Sequence, residues 1–340
     1  MKAFVSRSGK GINSLSMEDV AAPARPGPGQ IRVAMRAASL NFRDLLFLSG
    51  TFGPPGPDGF IPCSDGAGEI VETGADVRRV KVGDRVALTF NPDWIGGPFR
   101  LTSGGLGRGS MILPGVVREE IVVHESEAVL LPPHLSFEEG AALPCAGVTA
   151  WHSLCGPAPL MPGMTVLLQG GGGVFVLALQ FAKLFGARVI ITTSNAERCA
   201  RLKSLGADEV IDYRADPEWH KTARKFTDGQ GVDLTVDVAG ADTVDRSLSA
   251  TRTGGRVALV GLITGWPNTV STLFSAGVDV TPIKVGSRDD FEAMNRAIAF
   301  HKLKPVIDSQ YTFERLPDAL HHLQSGKHLG KIVIGPIARC

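Results

Sequence analysis

Between residues 165 and 260 the chain alternates short apolar runs with longer stretches whose apolar positions recur at helical spacing. Thr165 to Gln169, Arg188 to Thr193, Glu209 to Asp212, Val232 to Asp237 and Gly255 to Val260 read as strands rich in β-branched residues. Val174 to Phe185, Asn195 to Leu205, Pro217 to Thr227 and Thr243 to Ala250 read as helices, the second closed by Gly206. This alternation predicts an α/β fold: a doubly wound parallel sheet covered on both faces, with any ligand at the carboxyl ends of the strands.

The first 120 residues follow another pattern. Gln30 to Arg36, Gly68 to Glu72 and Asp84 to Leu88 are short apolar runs separated by Pro and Gly turns, which predicts a mostly β domain with non-local pairing. Thr89 to Gly115 is long, glycine-rich and weakly periodic, the pattern of a mouth or lid, and Gly104 to Gly109 suggest that it moves. Trp94 and Phe99 there, with Phe42, Phe47 and Phe52, read equally well as pocket lining or as β-domain core. After about Gly277 come a strand, a helix from Asp289 to His301, and a last strand from Lys331 to Ile334 that is placed to return to the first domain.

The most informative junction is Gly170-Gly171-Gly172-Gly173-Val174, where the first strand of the α/β segment meets its helix. Backbone amides at a helix start, with no side chains in the way, form a pocket for a pyrophosphate. The third glycine position of the usual dinucleotide fingerprint holds Phe175, a ring able to tilt the helix or narrow the groove. Cofactor choice is read at the end of the next strand, where NAD-specific sites carry a carboxylate for the ribose hydroxyls. Here stand Thr193, Ser194 and Asn195, with Arg198 one turn on. No acidic group opposes a 2′-phosphate, and the hydroxyls and guanidinium suit one, which favours NADPH. Helix capping by Ser194 or Asn195 is the plainer reading and is compatible with the first.

Charge adds exclusions. With 35 basic and 34 acidic residues the net charge is +1, and no basic stripe suggests nucleic acid. No apolar stretch approaches membrane-spanning length, and the first residues lack a signal-peptide core. Five cysteines without paired spacing read as reduced thiols of a cytoplasmic protein.

Several segments together carry a family resemblance over essentially the whole chain: Ala38-Ser-Leu-Asn-Phe-Arg-Asp44, Pro62 to Val71, Val82-Gly-Asp-Arg-Val86, Leu143 to Trp151, the glycine turn, Leu205-Gly-Ala-Asp208 and Gly330-Lys-Ile-Val-Ile334. In this order they resemble the medium-chain dehydrogenase/reductase superfamily, in its zinc-independent quinone and enone reductase branch. The resemblance implies a GroES-like catalytic domain over 1–125, completed by 277–340, and a Rossmann domain over 126–276. Zinc-dependent members hold their catalytic metal at positions matching Asn41, Ser64 and Cys145, where one ligand type survives; the region matching the structural zinc lobe, roughly Phe90 to Gly115, has no cysteine. No metal is therefore expected. Metal-free alcohol oxidation through a tyrosine lowered by a lysine is not supported by either of the two tyrosines, Tyr213 or Tyr311.

The resemblance implies hydride transfer from NADPH to a quinone or an α,β-unsaturated carbonyl, a zinc alcohol dehydrogenase or a non-catalytic NADPH-binding protein being the alternatives. It places Asn41 near the nicotinamide ribose and the substrate carbonyl, and offers Asp44 and Asp65 as acids, although each also suits a structural turn or ion pair. It places Thr149 at the nicotinamide, Tyr213 near the adenosine phosphate, and Gly261, Leu262, Val285 and Ser287 around the nicotinamide. The run Gly277 to Val285 corresponds to an edge strand through which relatives pair, so a homodimer is expected, with Pro282 limiting that pairing.

Overall fold

The punctuated first part of the chain forms strands β1 (Lys2–Ser6), β2 (Leu15–Asp19), β3 (Gln30–Ser39), β4 (Asp65–Thr73), β5 (Arg85–Leu88), β6 (Glu120–His124) and β7 (Ala128–Leu130), with helix α1 (Phe42–Ser49) between β3 and β4. After β7 come α2 (Phe137–Ala141), a π-helical turn at Leu143–Gly147, and α3 (Val148–Cys155). This computed structural model describes residues 1–7, 11–51, 58–100, 105–156, 158–261, 264–265 and 270–337.

The α/β segment follows as β8 (Thr165–Gln169), α4 (Gly173–Leu184), β9 (Arg188–Thr193), α5 (Ala196–Ser204), β10 (Glu209–Asp212), α6 (Trp219–Lys225), β11 (Val232–Asp237), α7 (Val244–Ala250), β12 (Thr251–Leu259), α8 (Val270–Ala276) and β13 (Asp279–Pro282). The six strands are parallel and ordered β10-β9-β8-β11-β12-β13. Chain order reverses direction between β8 and β11, which is where such sheets open a ligand crevice. Every residue of β8 is buried, as helices on both faces require.

The tail forms α9 (Arg288–His301), β14 (Ile307–Tyr311), α10 (Leu316–Ser325) and β15 (Lys331–Ile334). Strand β15 lies antiparallel to β3 and parallel to β14, so the last strand joins the first sheet in the order β14-β15-β3-β4-β5-β7, with β6 also on β3. Its core is one cluster that includes Ile31, Val33, Ile70, Leu88, Val116, Leu316 and Ile332.

By packing, the chain divides into Met1–Val148 with Gly286–Cys340, and Thr149–Val285. The sequence placed these divisions at 125/126 and 276/277. They fall later because β7 pairs with β5 and α2 packs on β3, holding 126–148 in the first unit, while β13 pairs with β12 in the second.

The long loop differs from the expected mobile mouth in its described part. A Cβ on Gly107 would lie 2.1 Å from the Phe90 ring, one on Gly109 2.6 Å from the Cys63 carbonyl carbon, and one on Gly115 1.9 Å from the Pro62 carbonyl oxygen. Arg108 is fully buried in an ion pair with Glu127, and the Gly115 and Val116 amides donate to Ile61 and Cys63. These glycines allow close approach rather than motion.

Candidate functional site

In the first unit the site begins with a strained backbone. Cys63 takes a left-handed φ of 67°, held by the loop glycines that press on it, and turns Ser64 toward the start of α1. Asn41 caps that helix, and its backbone N–H donates to Asp44 Oδ2 at 2.8 Å. The Asn41 side chain spans two partners: Nδ2 donates to Ser64 Oγ at 3.2 Å, and Oδ1 accepts from Lys331 Nζ at 2.6 Å. Ser64 in turn donates to Asp65 Oδ1 at 2.7 Å, and Asp65 Oδ2 accepts from the Cys145 backbone amide at 3.0 Å. Lys331, on β15 and 3 % exposed, also donates to the Leu40 carbonyl at 2.6 Å and stands 3.9 Å from Asp65 Oδ2.

The structure thus brings together Asn41, Ser64, Asp65 and Cys145, and adds Lys331, which the sequence reading quoted in a motif but gave no role. The one available signal was a lysine opening a strand otherwise made of Ile, Val and Ile. Asp44 pins the α1 start and is buried, with Arg43 3.7 Å from its other oxygen.

Burial pushes the Asp44 carboxyl up to about 6, opposed by Arg43 and the Asn41 N–H. The native state therefore holds this proton more tightly than the unfolded chain does. The contribution of Asp44 to stability, present below about pH 4, is lost as pH rises to about 6, and amounts to roughly 3 kcal/mol. Asp44→Asn, which keeps an acceptor for Asn41, is expected to remove that dependence and to stabilise the protein at pH 7 by about 1–3 kcal/mol. Urea denaturation at acid and neutral pH measures both; a variant that keeps the wild-type slope refutes the assignment.

Of the aromatics, Phe47 and Trp94 are buried in this unit, Phe99 meets Trp94 edge-on at 4.9 Å, and Phe42 is exposed at the start of α1. Phe52 lies outside the described residues.

The donor set does not fit a zinc ion. It offers an amide, a hydroxyl already donating to Asp65, and a thiol that burial and the Asp65 charge push up to about 12. Among the described residues no group of three or more His, Cys, Asp or Glu is arranged to hold a metal.

In the second unit, Gly170 takes φ 94° and donates to the Thr192 carbonyl, closing the turn from β8. Gly172 caps α4 and Gly173 begins it. A Cβ on Gly172 would meet no atom within 4 Å, so the space in front of the helix start is open. Phe175 is buried, its ring 3.9 Å from where a Gly170 Cβ would stand. The ring sits in the core, and α4 runs unbroken from Gly173 to Leu184. Open backbone amides and the positive end of a twelve-residue helix fit a pyrophosphate.

Thr193 is buried at the end of β9, and Asn195 caps α5 by accepting from the Glu197 amide at 2.8 Å. Ser194 and Arg198 are half-buried there. The Tyr213 amide donates to the Thr193 carbonyl, which sets its exposed ring beside the β9 end. Thr149 is buried on α3, its carbonyl accepting from Ser153. Gly261 follows β12, and a Cβ there would lie 2.4 Å from the Val238 carbonyl oxygen. Val285 takes a left-handed φ of 74°, which is strained for a β-branched residue. Ser287, in the first unit, is occupied as the cap of α9 with Asp290. Leu262 lies outside the described residues. The sequence reading did not find Gln169, whose buried amide donates to Asp237 and Ser247 and ties β8 to β11 beside the crevice.

A β unit followed by a doubly wound parallel sheet is a fold that serves many chemistries, so the class rests on similarity to known proteins. Two family models match: an alcohol dehydrogenase GroES-like domain over 27–133, and a zinc-binding dehydrogenase over 173–299. A zinc-type alcohol dehydrogenase-like protein of Schizosaccharomyces pombe is 34% identical over 95% of this chain and 96% of its own. A quinone oxidoreductase of Pseudomonas aeruginosa is 35% identical over 72% of this chain and 68% of its own. Among solved structures, an NAD-dependent alcohol dehydrogenase is 32% identical with TM-score 0.88, covering 98% of this chain and 99% of its own. A mycobacterial protein solved with NADPH is 28% identical with TM-score 0.82, covering 99% of this chain and 100% of its own. The chain belongs to the medium-chain dehydrogenase/reductase superfamily and is quinone oxidoreductase-like. Among the described residues no helix is long and apolar enough to cross a membrane.

Proposed function

We propose that this protein is an NADPH-dependent reductase of quinones or α,β-unsaturated carbonyls that works without zinc. The observation that carries the reading is the set Asn41, Ser64 and Cys145: where a zinc enzyme needs metal ligands, this chain has an oriented amide, an engaged hydroxyl and a half-buried thiol that stays protonated. Such a set cannot activate an alcohol as a Lewis acid would. It can stabilise negative charge on a carbonyl oxygen, because Asn41 Nδ2 has a second N–H beyond the one given to Ser64.

NADPH, when bound, supplies the hydride. Gly171 to Gly173 and Val174 hold its pyrophosphate with backbone amides, with Gly170 making the turn that leads into them. Ser194 and Arg198, half-buried just after β9, take the 2′-phosphate, with Thr193 buried beneath them in place of the carboxylate that ends the strand in NAD-specific sites, while Asn195 caps its helix. Thr149, Tyr213, Gly261, Leu262 and Val285 complete the cofactor contacts in this reading. Asn41 donates to the acceptor carbonyl, and Asp44 and Asp65 position the groups around it rather than transfer protons. The chain acts as a homodimer, pairing through β13, which is the edge of its sheet, beside Phe274 at 92 % exposure; sedimentation at the mass of a single 35.9 kDa chain would remove this part of the reading.

The test uses chelator-treated protein with NADPH or NADH, a benzoquinone and a cyclic enone as acceptors, and simple alcohols in reverse. Faster consumption of NADPH than NADH with either acceptor is expected. Turnover of alcohols that appears only with added zinc refutes the proposal, and binding of either cofactor without turnover points to a non-catalytic protein.

A further inference from the structure

Lys331 is an expensive residue to place where it is. A buried ammonium at the start of β15 loses its water, and an apolar residue would fill the same position at lower cost. All its identified partners are at one place: the Leu40 carbonyl, Asn41 Oδ1 and, further off, Asp65. An ammonium can only donate, so the amide facing it must present oxygen, and the Nδ2 end must face Ser64. The donors then run in one direction, from Lys331 to Asn41 Oδ1, from Asn41 Nδ2 to Ser64 Oγ, and from Ser64 to Asp65 Oδ1. A cation at one end and a carboxylate at the other polarise every group between them in the same sense.

We propose that Lys331 is a positioning residue for hydride acceptance: it fixes the Asn41 amide in one orientation and draws electron density toward Oδ1, so that the second Nδ2–H is a stronger donor to the oxygen of the reduced substrate. This rests on the reductase reading above. A flipped amide would aim its oxygen at the developing negative charge, and Lys331 prevents the flip. The contact joins residues 290 positions apart, so closing β15 onto β3 also completes the donor.

The experiment is a double-mutant cycle of Lys331→Met and Asn41→Ala, read as kcat with the best acceptor alongside NADPH affinity and melting temperature. Lys331→Met is expected to lower kcat by about 10–100-fold, the range for partners that orient a reacting group, with NADPH affinity unchanged. On the Asn41→Ala background it should lower kcat no further, because its effect passes through that amide. Equal losses on both backgrounds, an unchanged kcat, or a loss confined to NADPH affinity would each overturn the proposal. If Lys331→Met does not fold, Lys331→Gln keeps a neutral donor to the Leu40 carbonyl and is read in the same cycle. Wild-type protein inactive with every acceptor would instead remove the reductase reading itself.

Discussion

Gly172→Asp is expected to weaken NADPH binding by at least about 100-fold, the effect of a carboxylate set against a phosphate where the helix amides should receive it. The fold should tolerate the change. Gly172 has an ordinary φ of −73°, a Cβ there meets no atom within 4 Å, and aspartate is a favoured residue at a helix cap. The melting temperature of the apoprotein should therefore hold or rise by a few degrees. Few substitutions separate binding from stability so cleanly, since most glycine replacements in this chain would strain the backbone or strike a neighbour. Isothermal titration with NADPH and thermal denaturation without it give the two readings. Retained affinity would mean that the phosphates do not lie at this turn, whereas lost affinity with a collapsed melting temperature would mean that the open space has been misplaced.

That contrast shows what the chain discloses by itself. Strands β8, β9 and β11 match their expected spans because inner parallel strands are almost wholly buried and leave a β-branched, largely apolar mark in the sequence, and the edge strand β10 matches through its short Val-Ile pair. β12 starts at Thr251 rather than Gly255, since its pairing with β11 begins at Thr251 and crosses an irregularity that no apolar run announces. The loop glycines misled for a different reason: freedom of motion and tight approach are written with the same letter, and the neighbours decide between them. Gly107 against Phe90 and Gly115 against Pro62 are tight approaches. At the site, Asn41, Ser64, Asp65 and Cys145 were visible through their motifs. Lys331 was not, because what makes it matter is an amide almost the whole chain away.

Asn41→Ala carries the other large expected effect. Removing the Nδ2 donor should lower kcat by about 10²–10³-fold, the range for loss of one preorganised donor to a developing oxyanion. The change also removes the acceptor that faces the buried Lys331 ammonium and the donor to Ser64, and is expected to cost about 1–3 kcal/mol of stability. Asn41→Asp sharpens the result. Its carboxylate still meets Lys331 and is nearly isosteric, but it has no N–H to give and faces the substrate oxygen with like charge. If Asn41 works as a donor, Asn41→Asp should be at least as slow as Asn41→Ala while keeping its contact with Lys331. If Asn41 serves only to shape α1 and hold Lys331, Asn41→Asp should keep most of the wild-type rate. Steady-state kcat for the two variants, compared at matched NADPH saturation, decides between a chemical and a scaffolding role, because Asn41→Asp keeps the acceptor for Lys331 while removing the N–H donor.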